Sequence, residues 1–159
     1  MQITIREATL SDHPQLKELF DELDRVHREH APRIFREPSS DPRPPQWLQQ
    51  LISDPRWSLP VAVEGECCIG LATVCLKEVP AFPVFIPQQY ALIDNLVVHA
   101  AWRRRGVARR LYRACESWAE QHNAAWLEVN VWDFNVEALD FYAAVGFAAS
   151  THKLVKVPG

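Results

Sequence analysis

This chain has no run of about 18 apolar residues, so no membrane-spanning helix is expected. Its opening, Met1-Gln2-Ile3-Thr4-Ile5-Arg6, lacks the apolar core of a secretory signal, and a cytoplasmic protein is the expectation. Basic charge is not in excess. The formal net charge is -3, so a generally basic nucleic-acid binder is not the first reading. The four cysteines, at 67, 68, 75 and 115, form no Cys-x-x-Cys pair, and the adjacent pair points to opposite faces of a strand. Disulfides or structural zinc are therefore not expected, and the cysteines read as small core residues. His27-x-x-His30 lacks the i,i+4 spacing of a helical His-Glu-x-x-His zinc motif, so no metal site is expected. There are no repeats, low-complexity tracts or linkers. What remains is ordinary globular material, 48% hydrophobic and 23% charged, and its 159 residues suit one domain spanning 1–159.

Residues 2–7 alternate as a first strand. Ser11-Asp12 with Pro14 in the first turn opens a helix, and Leu16, Leu19, Phe20, Leu23 and Val26 carry its apolar face to about residue 29. Five prolines in 31–45 make an irregular connection, followed by a short helix at 46–52. Residues 58–64 and 67–78 flank Glu64-Gly65-Glu66 as a hairpin. An apolar, proline-bearing loop, 80–87, leads to a strand at 90–98. A helix at 107–122, a strand at 125–132, a helix capped by Asp133 or Asn135 and stopped by Gly146, and a final strand at 147–157 complete the order. A meander that passes into βαβ units predicts an α/β fold, a mixed sheet with helices on both faces.

The segment most charged with chemistry is Val97-Val98-His99-Ala100-Ala101-Trp102-Arg103-Arg104-Arg105-Gly106-Val107-Ala108-Arg109-Arg110-Leu111. A strand runs through an Arg-x-x-Gly-x-Ala turn straight into a helix. The first amides of a helix have no internal partner and carry partial positive charge, which suits phosphate. Gly106 allows close backbone approach or an unusual φ. Residues 103–113 hold six arginines. They could equally form a solvated or nucleic-acid-binding face, and a phosphate contact needs only part of them.

These motifs resemble the GNAT superfamily of N-acetyltransferases. Its Arg/Gln-x-x-Gly-x-Gly/Ala turn is matched by Arg103-Arg104-Arg105-Gly106-Val107-Ala108. Its asparagine near the last helix is matched by Asn135, and its Phe-Tyr…Gly-Phe signature by Phe141-Tyr142-Ala143-Ala144-Val145-Gly146-Phe147. The resemblance covers most of the chain and is strongest from Ala91 to Phe147. It implies transfer of acetyl from acetyl-CoA to an amine, and a splayed gap between the strands at 90–98 and 125–132. By position, pantetheine pairs with backbone from Leu96 through Val97 to Val98, pyrophosphate sits on the amides of Arg104 to Ala108, and Asn135 contacts the pantetheine arm. Side chains of Arg103, Arg104 or Arg109 reach for phosphate, with the choice among them open.

Acetyl transfer needs a neutral amine, a stabilised thioester oxygen and a leaving thiolate that takes a proton. Tyr142 is the candidate acid, since a phenol near pKa 10 is protonated at neutral pH. The Val98 amide is the candidate oxyanion donor. Many members place a glutamate nine positions before the turn; this chain has Asp94, one methylene shorter, which would act through a bridging water or orient the amine. Tyr142 could instead be a packing aromatic, Asp94 a strand-end carboxylate, and Asn135 a helix cap alone. The acceptor is expected to be an amine, a small molecule in preference to a protein, entering near Asp21, Asp24, His27, Glu29 and His30. Trp47, Trp57 and the Phe82–Phe85 loop are further candidates for that mouth, for the core or for a homodimer contact. A non-catalytic acetyl-CoA-binding module is the alternative function. No nucleic-acid or membrane partner is expected.

Overall fold

The computed structural model describes residues 2–159. Its strands are β1 (Ile3–Glu7), β2 (Trp57–Ser58), β3 (Pro60–Glu64), β4 (Cys67–Glu78), β5 (Gln89–Val98) and β6 (Leu127–Val129); its helices are α1 (His13–His30), α2 (Pro45–Ser53), α3 (Val107–Gln121) and α4 (Val136–Ala144). The sheet runs in the order β1-β3-β4-β5-β6, with β2 also on β4. Every pairing is antiparallel except β5 with β6. The expected mixed sheet is present, and among the described residues no helix is long and apolar enough to cross a membrane.

Two cores show that helices cover both faces. Alternating strand residues are divided between them, as the pleat requires. Val61, Val63, Leu71 and Val97 pack with Leu16, Leu19 and Phe20 of α1 and Leu48 of α2. Ala62, Ala72, Ile93 and Val98 pack with Val107, Leu111 and Cys115 of α3 and Tyr142 of α4. Three of the four cysteines are buried and all four are free thiols, in keeping with their reading as core residues.

Gly70 sets how closely α3 approaches. A Cβ there would lie 3.0 Å from the Val97 carbonyl oxygen and 3.1 Å from Leu111 Cδ1. Only glycine on β4 lets the start of α3 rest against β5 in this way.

Three expectations are corrected. The strand at 58–64 is two pieces, because Leu59 leaves β4 and its carbonyl accepts from the Ala8 amide instead (2.9 Å). The strand at 125–132 shortens to Leu127–Val129, because the chain parts from β5 after Val129. The final strand at 147–157 does not form. That segment has no regular structure, and Leu154, Val155 and Val157 are 90%, 79% and 62% exposed. A strand needs a partner ladder for its backbone groups, and here the segment meets none.

Candidate active site

The strands β5 and β6 pair only over Ala91↔Leu127, Leu92↔Glu128 and Ile93↔Val129. Beyond Ile93, β5 continues to Val98 with β4 as its sole partner. The remainder of its far side is therefore an open gap.

A bulge at this point decides which backbone groups face the gap. Opposite β4, Thr73 pairs with Asn95 and Val74 with Ile93, so Asp94 is the extra residue. The His99 amide donates to the Ile69 carbonyl across β4 (2.9 Å). Backbone groups alternate sides along a strand, so Val97 also faces β4, while Leu96 and Val98 turn their amides and carbonyls to the gap. Of the three backbone positions expected to line it, two do so. The Val98 carbonyl accepts from Arg103 Nε (3.1 Å), which leaves its amide available.

The bulge also sets Asp94 and Asn95 side by side on the α1 face, since Ile93 and Leu96 both turn to the α3 core. Asn95 Nδ2 donates to Thr73 Oγ1 (3.0 Å) and to Asp94 Oδ2 (3.3 Å). Asp94 is exposed.

At the end of β5, the turn expected to hold phosphate has two left-handed residues, Arg104 (φ 63°) and Gly106 (φ 78°). Gly106 is the N-cap of α3. The amides of Arg104, Arg105 and Gly106 have no acceptor among the described residues, and those of Val107 and Ala108 open the helix, where no intrahelical acceptor exists. Successive free amides around left-handed residues form a concave anion site. A Cβ on Gly106 would touch nothing, so the turn is open on that side.

The arginines separate by contact. Arg103 bridges to Glu22 Oε1 of α1 (2.8 Å) as well as to Val98. The Arg105 guanidinium lies 5.0 Å from the Trp102 ring centroid, and Arg110 donates to the Ile3 carbonyl (2.8 Å). Arg104 and Arg109 make no side-chain hydrogen bond or ion pair among the described residues and are the ones left to reach a phosphate.

From the α3 side, α4 brings two groups. Asn135 caps it by accepting from the Ala138 amide at Oδ1 (3.1 Å), and its Nδ2 is left without an acceptor among the described residues. Tyr142 is 7% exposed, packed edge-on against Phe141 and Phe147 at 5.2 and 5.3 Å. Its hydroxyl has no hydrogen-bond partner among the described residues. Burial pushes the phenol's pKa well above its ordinary value, with a smaller contribution from Cys115, so the proton is held at neutral pH.

A family model for the "Acetyltransferase (GNAT) family" matches residues 17–147. The chain belongs to the GNAT family of acetyltransferases. No curated protein matches it in sequence. Among solved structures, a mutant of the BH1408 protein from Bacillus halodurans superposes with a TM-score of 0.90 at 24% identity, covering 98% of each chain. AAC(6')-Iy in complex with a bisubstrate analogue, CoA-S-monomethyl-acetylneamine, gives 0.77 at 14% identity over 100% of this chain and 99% of that one. An aminoglycoside acetyltransferase from an uncultured soil metagenomic sample, in complex with sisomicin, gives 0.71 at 19% identity over 99% and 95%. At these identities the likeness is one of fold.

In this GNAT chain two acidic residues of α1 are paired with arginines, while Asp21 and Glu29 are exposed and in no ion pair among the described residues. Asp24 is held by a two-pronged pair with Arg43 (2.6 and 3.1 Å), and Arg43 also lies 4.2 Å over the Phe20 ring. Glu22 is held by Arg103. His27 stacks on Phe35 (5.0 Å) and His30 on Phe134 (4.7 Å), with Trp132 against both phenylalanines. Burial lowers the pKa of His27, so it is the neutral ring that packs there. Trp47 packs edge-on to Phe20 in the α1–α2 core. The Phe82–Phe85 loop is exposed and joins the opposite end of β5 from the phosphate turn, roughly 30 Å away along a ten-residue strand. Arg43, Phe35, Trp132 and Phe134 were not singled out in the sequence. Arg43, Phe35 and Phe134 lie in connections that carry no periodicity, and Trp132 ends the stretch that was expected to be a strand.

Proposed function

We propose that this protein is an N-acetyltransferase that moves the acetyl group of acetyl-CoA directly to a primary amine while both are bound. The observation that carries the proposal is the parting of β5 from β6. It leaves the backbone of Leu96 and the amide of Val98 unpaired on a line that ends at the free amides of residues 104–108. A strand-like pantetheine arm with a pyrophosphate at one end fits that donor set.

Acetyl-CoA supplies the acetyl group as an activated thioester. The chain's own groups do the rest. Leu96 aligns the arm through backbone hydrogen bonds, and Asn135 Nδ2 adds a donor. The turn at Arg104–Ala108, with Arg104 or Arg109, holds the phosphates. The Val98 amide donates to the thioester oxygen as it gains charge. As the amine nitrogen bonds to the carbonyl carbon and the carbon–sulfur bond breaks, Tyr142 delivers a proton to the sulfur from the α3 side. Asp94, on the α1 side, takes the amine's proton through a water. The two proton movements thus occur on opposite faces of the sheet, with the gap between them.

The acceptor proposed is a small amine with one charge and an apolar or flat substituent. Its support is the pairing of Glu22 and Asp24 with arginines and the ring wall of His27, Phe35, Trp132 and Phe134. Release of free CoA thiol across an amine panel tests this. Monoamines with aryl or alkyl groups are expected to give higher kcat/KM than polyamines or aminoglycosides. Asp94→Asn is expected to lower kcat; an unchanged rate would remove Asp94 from the mechanism. Acetyl-CoA binding without turnover of any amine would favour the non-catalytic module.

A further inference from the structure

The bulge in β5 leaves one side-chain amide with a free oxygen beside Asp94. Along β4, Leu71 packs in the α1 core, while Ala72 and Val74 pack in the α3 core. Thr73, between them, therefore faces α1. It is 1% exposed and carries the one hydroxyl in the buried run Cys68–Cys75. A buried hydroxyl needs a partner, and the Asn95 amide supplies it, with Nδ2 donating to Thr73 Oγ1 at 3.0 Å. The same Nδ2 donates to Asp94 Oδ2 at 3.3 Å.

These two contacts fix which way the amide lies. A carboxylate accepts and does not donate, so it is Nδ2 that stands beside Asp94, and Asn95 Oδ1 is turned the other way. That oxygen has no donor among the described residues. It also reaches solvent, since among the described residues the one buried side-chain polar atom without a partner is Glu64 Oε1. The oxygen and nitrogen of one amide lie about 2.2 Å apart. Asn95 Oδ1 is thus within about 5.5 Å of Asp94 Oδ2. Two acceptors at that spacing can flank one nitrogen, or a nitrogen and the water beside it.

On the acetyltransferase reading of this site, we infer that Asn95 is a second acceptor for the amine nitrogen and the residue that selects primary over secondary amines. A neutral primary amine has two N–H bonds and one lone pair. One hydrogen goes to Asn95 Oδ1 and the other to the water on Asp94, which leaves the lone pair free for the thioester carbon. An N-methyl amine has a single hydrogen for these two acceptors. It leaves one of them unpaired or sets its methyl group against the carboxamide, and either costs binding energy. Thr73 acts through Asn95. It is a positioning residue, whose hydroxyl holds Nδ2 on the β4 side and so keeps Oδ1 turned outward.

The test is CoA thiol release from acetyl-CoA with phenethylamine and with N-methylphenethylamine, in wild type and in three variants. The readout is the ratio of the two kcat/KM values. A general loss of structure, or of Asp94 alignment, lowers both values alike and does not move the ratio. Wild type is expected to favour phenethylamine. Asn95→Leu, close in volume but without an acceptor, is expected to lower the ratio about tenfold while acetyl-CoA affinity is retained. Thr73→Val is expected to lower it about threefold, and Thr73→Ser, which keeps a hydroxyl, to hold the wild-type ratio. Equal use of the two amines by wild type would overturn the proposal. So would a ratio unchanged in Asn95→Leu, or one that falls equally in Thr73→Ser and Thr73→Val. A wild type that binds acetyl-CoA yet releases no thiol with any amine would overturn the acetyltransferase reading itself, and this proposal with it.

Discussion

Removing one oxygen from Tyr142 separates its chemistry from its packing. The Tyr142 ring is 7% exposed and wedged between Phe141 and Phe147, while its hydroxyl makes no hydrogen bond within the described residues. Tyr142→Phe keeps every ring contact and leaves no protein donor or acceptor unsatisfied. Stability is therefore expected to change by no more than about 0.5 kcal/mol, far from the roughly 3–5 kcal/mol that truncating a buried aromatic to alanine costs. The effect on rate is expected to be large. A positioned proton donor contributes about 100- to 10,000-fold, or roughly 3–5 kcal/mol of barrier. The assay is CoA thiol release at saturating acetyl-CoA, with thermal melting and acetyl-CoA affinity measured alongside. The expected pattern is a fall in kcat of that size with melting and affinity unchanged. Because burial raises the phenol's pKa, wild-type activity should show no alkaline loss from this group below about pH 10. A kcat within about threefold of wild type, or a loss of rate that merely tracks unfolding, would refute the role.

Two further perturbations probe what positions the site. Gly70→Ala sets a Cβ 3.0 Å from a backbone oxygen and 3.1 Å from Leu111. About 1–3 kcal/mol of destabilisation is expected, with weaker acetyl-CoA binding as the start of α3 is pushed outward; an unchanged melt would show that α3 has slack there. Asp12 is buried and accepts from Arg6 (2.8 and 2.9 Å) and the Thr9 amide (2.7 Å), contacts that hold its carboxyl well below the usual range. Its contribution is present above the unfolded value near pH 4 and lost as pH falls further, through the folded value. Asp12→Asn should cost about 2 kcal/mol at neutral pH and flatten the acid limb of denaturant-melting stability, and an acid limb identical to wild type would contradict this.

Much of this was legible in the sequence, and the failures share a cause. The turn proposed to hold phosphate could be read because strand, glycine and helix start are contiguous, and Gly106 carries one of its two left-handed φ values. Asn135 and Tyr142 were marked by the resemblance, and both lie on or at the cap of α4. The parting of β5 and β6 was not. Alternation runs on to residue 132, and nothing local shows that the chain leaves its neighbour at Val129. Six arginines look alike in sequence. Arg103 is set apart by its contacts with Val98 and with Glu22, the latter 81 residues away. The acidic residues of α1 were visible, but the pairing of Asp24 with Arg43, out of a proline-rich connection, depends on contact between elements. The final strand shows the reverse case: a strand was read at 147–157, and the segment meets no partner ladder among the described residues.

The central claim is that the turn at Arg104–Ala108 and the β5 gap hold acetyl-CoA. Isothermal titration of acetyl-CoA into the wild-type protein and into Gly106→Glu tests it most directly. Gly106 sits at φ 78°, a conformation that costs a side-chain-bearing residue about 1–2 kcal/mol, and a carboxylate there would face the phosphates. Micromolar binding by the wild type, abolished in the variant while its melting curve stays cooperative, is the predicted result. No binding at millimolar acetyl-CoA, or equal binding by the two proteins, would contradict the account.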